Sequence, residues 1–256
     1  MNAKSRMTRI AAALALSFAA LGAQATTTAP VKNIVLVHGY FADGSGWQGV
    51  SNILTRDGYK VSVVQEPETS FEDDVKATTR VIDAQDGPSI LVGHSYGGAV
   101  VTEAGNDAKV AGLVYVAAFQ PDTGESPLVL NNKMPSATKA IKPTADGYLY
   151  LDPAHFHEDF AADLPADQAN FMAISQVMPL AQSFGTPITA AAWRAKPSWA
   201  VVATADRAIN PDLERFMTKR AGSKTVEIKA SHAVYISHPA EVAKLIEQAA
   251  AASNKP

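Results

Sequence analysis

Cysteine is absent from the 256 residues. That excludes disulfides, thiolate nucleophiles and cysteine-ligated zinc together. Charge is also sparse: charged residues make up 18% and the formal net charge is -3. Neither figure gives an electrostatic reason to expect nucleic acid or an anionic membrane surface as partner. The apolar stretch at 10–21 is too short and too small-sided for a good membrane span. What the chain has in quantity is hydrophobic residues, at 47%. That is enough for a sizeable core and argues against disorder.

The amino terminus reads as a removable export signal. Lys4, Arg6 and Arg9 precede the apolar Ile10–Leu21, and Ala23-Gln24-Ala25 has the A-x-A form of a cleavage site. Residues 1–25 are therefore expected to be removed, giving a periplasmic or secreted protein. Residues 26–256 are expected to form a single domain. A core of this size needs no disulfide staples after export.

Apolar and helical patterns alternate along the rest. Val31–Val37, Tyr59–Val64, Ser89–Val92, Val110–Val116, Ser198–Ala203 and Thr225–Lys229 read as strands. Helical spacing follows most of them, and Ser70 with Asp73 resembles a capping box. Pro211–Ala221 and Pro239–Ala252 read as late helices, the second with proline in its first turn. Such alternation implies a doubly wound, mainly parallel α/β sheet with helices on both faces. Residues of about 120–197 break the pattern. They are too many for a loop and are expected to form a small, mostly helical cap.

The strongest local signal is Gly93-His94-Ser95-Tyr96-Gly97-Gly98. It lies between a strand and a helix, which is the context of a nucleophile elbow. A serine hydroxyl needs a base, and His232 lies just past the last strand. Histidine as a residue type titrates near the working pH. A carboxylate must orient that imidazole, and Asp206 lies just past the fifth strand. The backbone N–H groups of Tyr40 and Tyr96 are placed to receive the oxyanion of a tetrahedral intermediate. Ser95, Asp206, His232 and the turn carrying Tyr40 each follow a strand end, where sheets of this class bind ligands. Asp122 is the rival acid and His238 the rival base, although His238 is better placed to cap the last helix. His38 and His94 read as structural. His155, His157, Glu158 and Asp159 look like metal ligands, but an i, i+2 pair does not converge, so a solvated face is the better reading. No cofactor or metal is expected.

Leu36-Val37-His38-Gly39 with Gly46-Trp47, the elbow itself, and Ser231-His232 with Ser237-His238-Pro239 resemble the α/β-hydrolase superfamily. They are most similar to its compact six-stranded branch of plant methylesterases, hydroxynitrile lyases and bacterial esterases. The resemblance covers essentially the whole mature chain and implies serine-type hydrolysis of a small-molecule, fairly apolar ester. Hydroxynitrile lyases of that branch place a lysine directly after the catalytic histidine. Here Ala233 stands there, which favours ester hydrolysis over cyanohydrin cleavage. A ligand receptor on the same fold, a lyase and a cofactor-free dioxygenase remain as alternatives.

Overall fold

Strand β1 (Asn33–Val37) is buried along its whole length, and its alternate residues feed two different cores. Ile34 and Leu36 join Trp47, Val50 and Leu54 on one face, whereas Val35 and Val37 join Leu91 and Val100 on the other. A period of two is what a strand covered on both faces requires. The computed structural model describes residues 31–253; the expected export signal lies outside them.

In chain order the elements are α1 (Gln48–Arg56), β2 (Lys60–Val64), α2 (Phe71–Asp83), β3 (Ser89–Ser95), α3 (Gly97–Ala104) and β4 (Val110–Ala118). Next come α4 (Pro127–Lys133), the short strands β5 (Ile141–Pro143) and β6 (Leu149–Leu151), then α5 (Pro153–Phe160), α6 (Ala166–Ser175) and α7 (Ala181–Phe184). The chain closes with β7 (Ser198–Ala203), α8 (Pro211–Ala221), β8 (Lys224–Ile228), α9 (Val234–Ser237) and α10 (Pro239–Ala252). Local chemistry sets several boundaries. Ser70 accepts from the N–H of Asp73 to cap α2, and Asn210 caps α8 with Pro211 behind it.

Six parallel strands form the main sheet in the order β2-β1-β3-β4-β7-β8. The chain moves outward from β1 to β2 and then returns to the other side of β1. The carboxyl ends of β1 and β3 therefore flank the switch point, where a crevice opens. Helices α2 and α3 pack together on one face, while α1 and α10 pack together on the other. The fold is thus the doubly wound α/β sheet expected from the sequence.

Between β4 and β7 the chain builds α4 to α7 and an antiparallel pair, β5 with β6. That pair has too few residues for a period-two pattern to register in the sequence. Residues of this excursion reach over the switch point and contribute a wall to the cavity there.

Candidate active site

Ser95 ends β3 with φ of 55°. A non-glycine residue in that region costs about 1–2 kcal/mol and persists only where its surroundings over-determine it. The surroundings are unusually close. A Cβ on Gly97 would lie 2.2 Å from the His38 carbonyl oxygen, and one on Gly39 would lie 2.6 Å from Ser95 Cβ. Only glycine lets the β1 turn and the elbow approach so closely. The turn after β1 is strained too, with Phe41 at φ of 63°.

His232 is buried and lies after β8. Its Nδ1 is 2.6 Å from Asp206 Oδ2. The other oxygen, Oδ1, accepts from the N–H groups of Ala208 at 2.7 Å and Ile209 at 2.9 Å. A carboxylate only accepts, so Nδ1 carries the proton and Nε2 is left with the lone pair. That is the tautomer a general base needs. His94 lies behind it: its Nε2–H donates to the His232 carbonyl at 3.0 Å, and the two rings are 4.6 Å apart. Burial pushes the His94 pKa well down, so this neighbour stays neutral. Phe160 stands edge-on to His232 at 4.8 Å.

Sequence reasoning did not single out Asp163 or Glu214. Asp163 holds the His232 loop by accepting from the Ser231 N–H at 3.0 Å and from the Ser237 hydroxyl at 2.9 Å. Glu214 is buried and accepts from the Ala203 N–H at 3.2 Å. Burial, and then the charge of Asp206, lift its pKa well above the carboxylate range. A neutral Glu214 spares Asp206 a second buried anion and brings a proton to that side. The signal available in sequence was only an acidic residue four positions into a helix that starts on the active-site edge.

A cavity of about 390 Å³ joins these parts, and Ser95, His232, Tyr40 and Tyr96 all line it. Its walls are largely apolar: Phe119, Phe160, Phe184, Leu149 and Ile209, with Thr138 and Lys139 among the polar groups. Of the cap aromatics, Phe160 and Phe184 therefore face the cavity. Phe156 is buried, and Phe171 is 67% exposed.

The rival residues are engaged elsewhere. Asp122 pairs with Arg194, whose guanidinium holds its carboxyl below the usual range. His238 stands at the N-cap of α10 but makes no side-chain cap bond; its Nδ1 meets the Ser237 hydroxyl instead. His155 lies near Asp152, His157 meets the Leu164 carbonyl, and Glu158 and Asp159 pair with Arg207. Those four do not converge on a common point.

A different group has ligand atoms close together: His38, Glu66 and Glu68. His38 Nε2 accepts from the Glu66 N–H at 3.0 Å, so the proton sits on Nδ1, facing the Gly39 carbonyl at 3.1 Å. Neither nitrogen then offers a lone pair to an ion. His38 thus ties the turn after β1 to the loop after β2. Burial lifts both glutamates, Glu68 to about 10 and Glu66 well above its ordinary value.

The comparisons with known proteins bear on the family. The sequence profile described as "Alpha/beta hydrolase family" matches residues 34–245. A pyrethroid hydrolase of Sphingobium wenxiniae is 29% identical over 246 residues, 84% of this chain and 86% of that protein. A carbendazim hydrolyzing esterase of a Nocardioides species is 32% identical, over 39% of this chain and 47% of its own length. The crystal structure of a pyrethroid hydrolase from Sphingobium faniae superposes with a TM-score of 0.77 at 26% identity, covering 87% of this chain and 98% of that one. The Arabidopsis methylesterase MES16 shares the fold, with a TM-score of 0.74 at 16% identity, covering 86% of this chain and 99% of that one. The chain belongs to the α/β-hydrolase family, as a carboxylesterase-type hydrolase.

Proposed function

We propose that the protein is an exported serine esterase that cleaves small, fairly apolar carboxylic esters through an acyl-enzyme. The observation that carries the reading is the shared cavity. A strained elbow serine and a histidine held by a carboxylate in the base tautomer open onto one apolar space. Ser95 Oγ attacks the ester carbonyl carbon while His232 Nε2 takes the hydroxyl proton. The oxyanion is received by the backbone N–H groups of Tyr40 and Tyr96. His232 passes the proton to the leaving alcohol as the C–O bond breaks, leaving an acyl group on Ser95. Water then attacks this acyl group, His232 takes the water's proton, and the acid departs as the proton returns to Ser95.

Substrate size follows from the enclosure. A space of about 390 Å³ with aromatic walls suits an aryl ester or a short acyl chain better than a long lipid chain. The similarity to a pyrethroid hydrolase and, over part of the chain, to a carbendazim hydrolyzing esterase supports hydrolysis of a small-molecule ester. Export rests on the composition of residues 1–25 and predicts a mature protein beginning near Thr26, which amino-terminal sequencing reads directly. A series of p-nitrophenyl esters of increasing acyl length tests the reaction. Turnover should be highest for short acyl groups and fall steeply for long ones. No turnover above that of Ser95→Ala across the series would overturn the reading, and tight ligand binding without turnover would point to a receptor.

A further inference from the structure

Two tyrosines supply the candidate oxyanion donors; both line the cavity and both are buried. Their rings stack at 4.0 Å with an interplanar angle of 23°. A stacked pair can slide unless its ends are pinned. Both ends are pinned here, one by α2 and the other by α7 of the cap.

Tyr96 O–H donates to Asp74 Oδ2 at 2.9 Å, on the first turn of α2. The Tyr40 hydroxyl is 2.5 Å from Ser183 Oγ, on α7. Ser183 already donates its own proton to the Leu180 carbonyl at 2.6 Å. Tyr40 is therefore the donor and Ser183 the acceptor. The circuit then closes through the backbone. The Leu180 N–H donates to the Glu68 carbonyl at 2.8 Å, and the Glu68 N–H donates to Asp74 Oδ1 at 2.8 Å. Asp74, Tyr96, Tyr40, Ser183, Leu180 and Glu68 thus form one closed ring of contacts. Glu68 holds its place with φ of 54°, a conformation kept only where the surroundings impose it. Asp74, Glu68 and Ser183 are each at most 1% exposed, so water does not compete for these bonds.

The residue next to Ser183 gives the ring a functional direction. Phe184 lines the substrate cavity and packs on Tyr40 at 5.8 Å. The same turn of α7 therefore touches both the substrate space and the Tyr40 hydroxyl. We propose that Ser183 and Asp74 are positioning residues for ester hydrolysis, which hold Tyr40 and Tyr96 so that their backbone N–H groups meet the oxyanion. The cap is then part of the oxyanion hole and not only its cover. The proposal rests on the esterase reading. It does not require Ser183 or Asp74 to touch substrate, so neither is a catalytic residue.

The experiment compares Ser183→Ala, Tyr40→Phe, the double variant of these two, and Asp74→Asn with the wild type. Four quantities are read: kcat and KM on p-nitrophenyl acetate, the affinity for a trifluoromethyl ketone that forms a hemiketal with Ser95, and fluorophosphonate labelling. Losing an oxyanion donor outright costs about 10²–10³ in kcat. A donor left in place but loosened should cost about tenfold, with KM changed less than about twofold. Ketone affinity should fall by the same factor as kcat, because both depend on the oxyanion. The double variant should be no worse than either single one, since both remove the same link. A merely structural role would lower thermal stability without this parallel fall, and two structural losses would add. If one variant fails to fold, the other carries the same comparison. A change in kcat below about threefold in the folded variants would overturn the proposal, as would a loss confined to KM or a fall in kcat without a fall in ketone affinity. A wild type that neither turns over the ester nor labels at Ser95 would overturn the esterase reading and the proposal with it.

Discussion

Replacing Glu68 by glutamine should change how stability depends on pH. The side chain is fully buried, and neither of its carboxyl oxygens has a hydrogen-bond partner. Burial lifts its pKa from 4.5 to about 10, with Asp74 adding to the rise. Unfolding restores the ordinary value. Between those limits the folded state therefore holds a proton that the unfolded state releases. Stability is fully present below about 4.5 and is lost as pH rises toward 10. The slope for one such group is about 1.4 kcal/mol per pH unit. Glu66 shifts in the same direction for the same reason. Glutamine has the shape of the neutral acid and nothing to ionise. The gap in unfolding free energy between Glu68→Gln and wild type should therefore widen, in favour of the variant, by about 1.4 kcal/mol per unit from about pH 6 to about pH 8. Urea unfolding followed by tryptophan fluorescence measures this, because Trp47 and Trp199 are both buried. Parallel stability curves for variant and wild type would refute the reasoning. They would mean that the carboxyl ionises in the folded protein at its usual pH.

Two further predictions concern the site. Asp206→Asn should lower kcat by up to ~10⁴, because the amide can stabilise the wrong imidazole tautomer. Asp122→Asn should leave kcat within about threefold, since that carboxylate serves Arg194; steady-state kinetics on one ester separates the two. Because Ala233 places no cation beside His232, mandelonitrile cleavage should stay at background under conditions where aryl esters turn over; cyanide release measured electrochemically is the check.

The parts legible in the sequence are those written in short, local patterns. The elbow at Ser95 announces itself through small residues between a strand and a helix. Asp206 and His232 stand out because each follows a strand end, and parallel strands deliver their carboxyl ends to one edge. Tyr40 was reachable for the same reason. What did not show depends on pairings across long stretches of chain. Tyr40 and Ser183 are 143 positions apart, and nothing in the local texture around Ser183 marks it. Glu66, Glu68 and Asp74 read as an ordinary polar loop entering a helix, since charge in sequence says nothing of burial. The β5–β6 pair is too short for periodicity. His238 carries the composition of a helix start, yet its ring turns to Ser237. Which of Phe156, Phe160, Phe171 and Phe184 meet the cavity does not show in the sequence: Phe156 and Phe160 stack on one face of α5, yet only Phe160 lines the cavity.

The central claim is that Ser95 is a nucleophile activated by the pair of His232 and Asp206. The most direct measurement is mass spectrometry of the intact protein and its peptides after reaction with a fluorophosphonate. The account predicts a single adduct, on Ser95, that forms at full rate in the wild type, is lost in Ser95→Ala and is slowed severely in Asp206→Asn. Labelling of another serine, or unchanged labelling of Ser95 in Asp206→Asn, would contradict it.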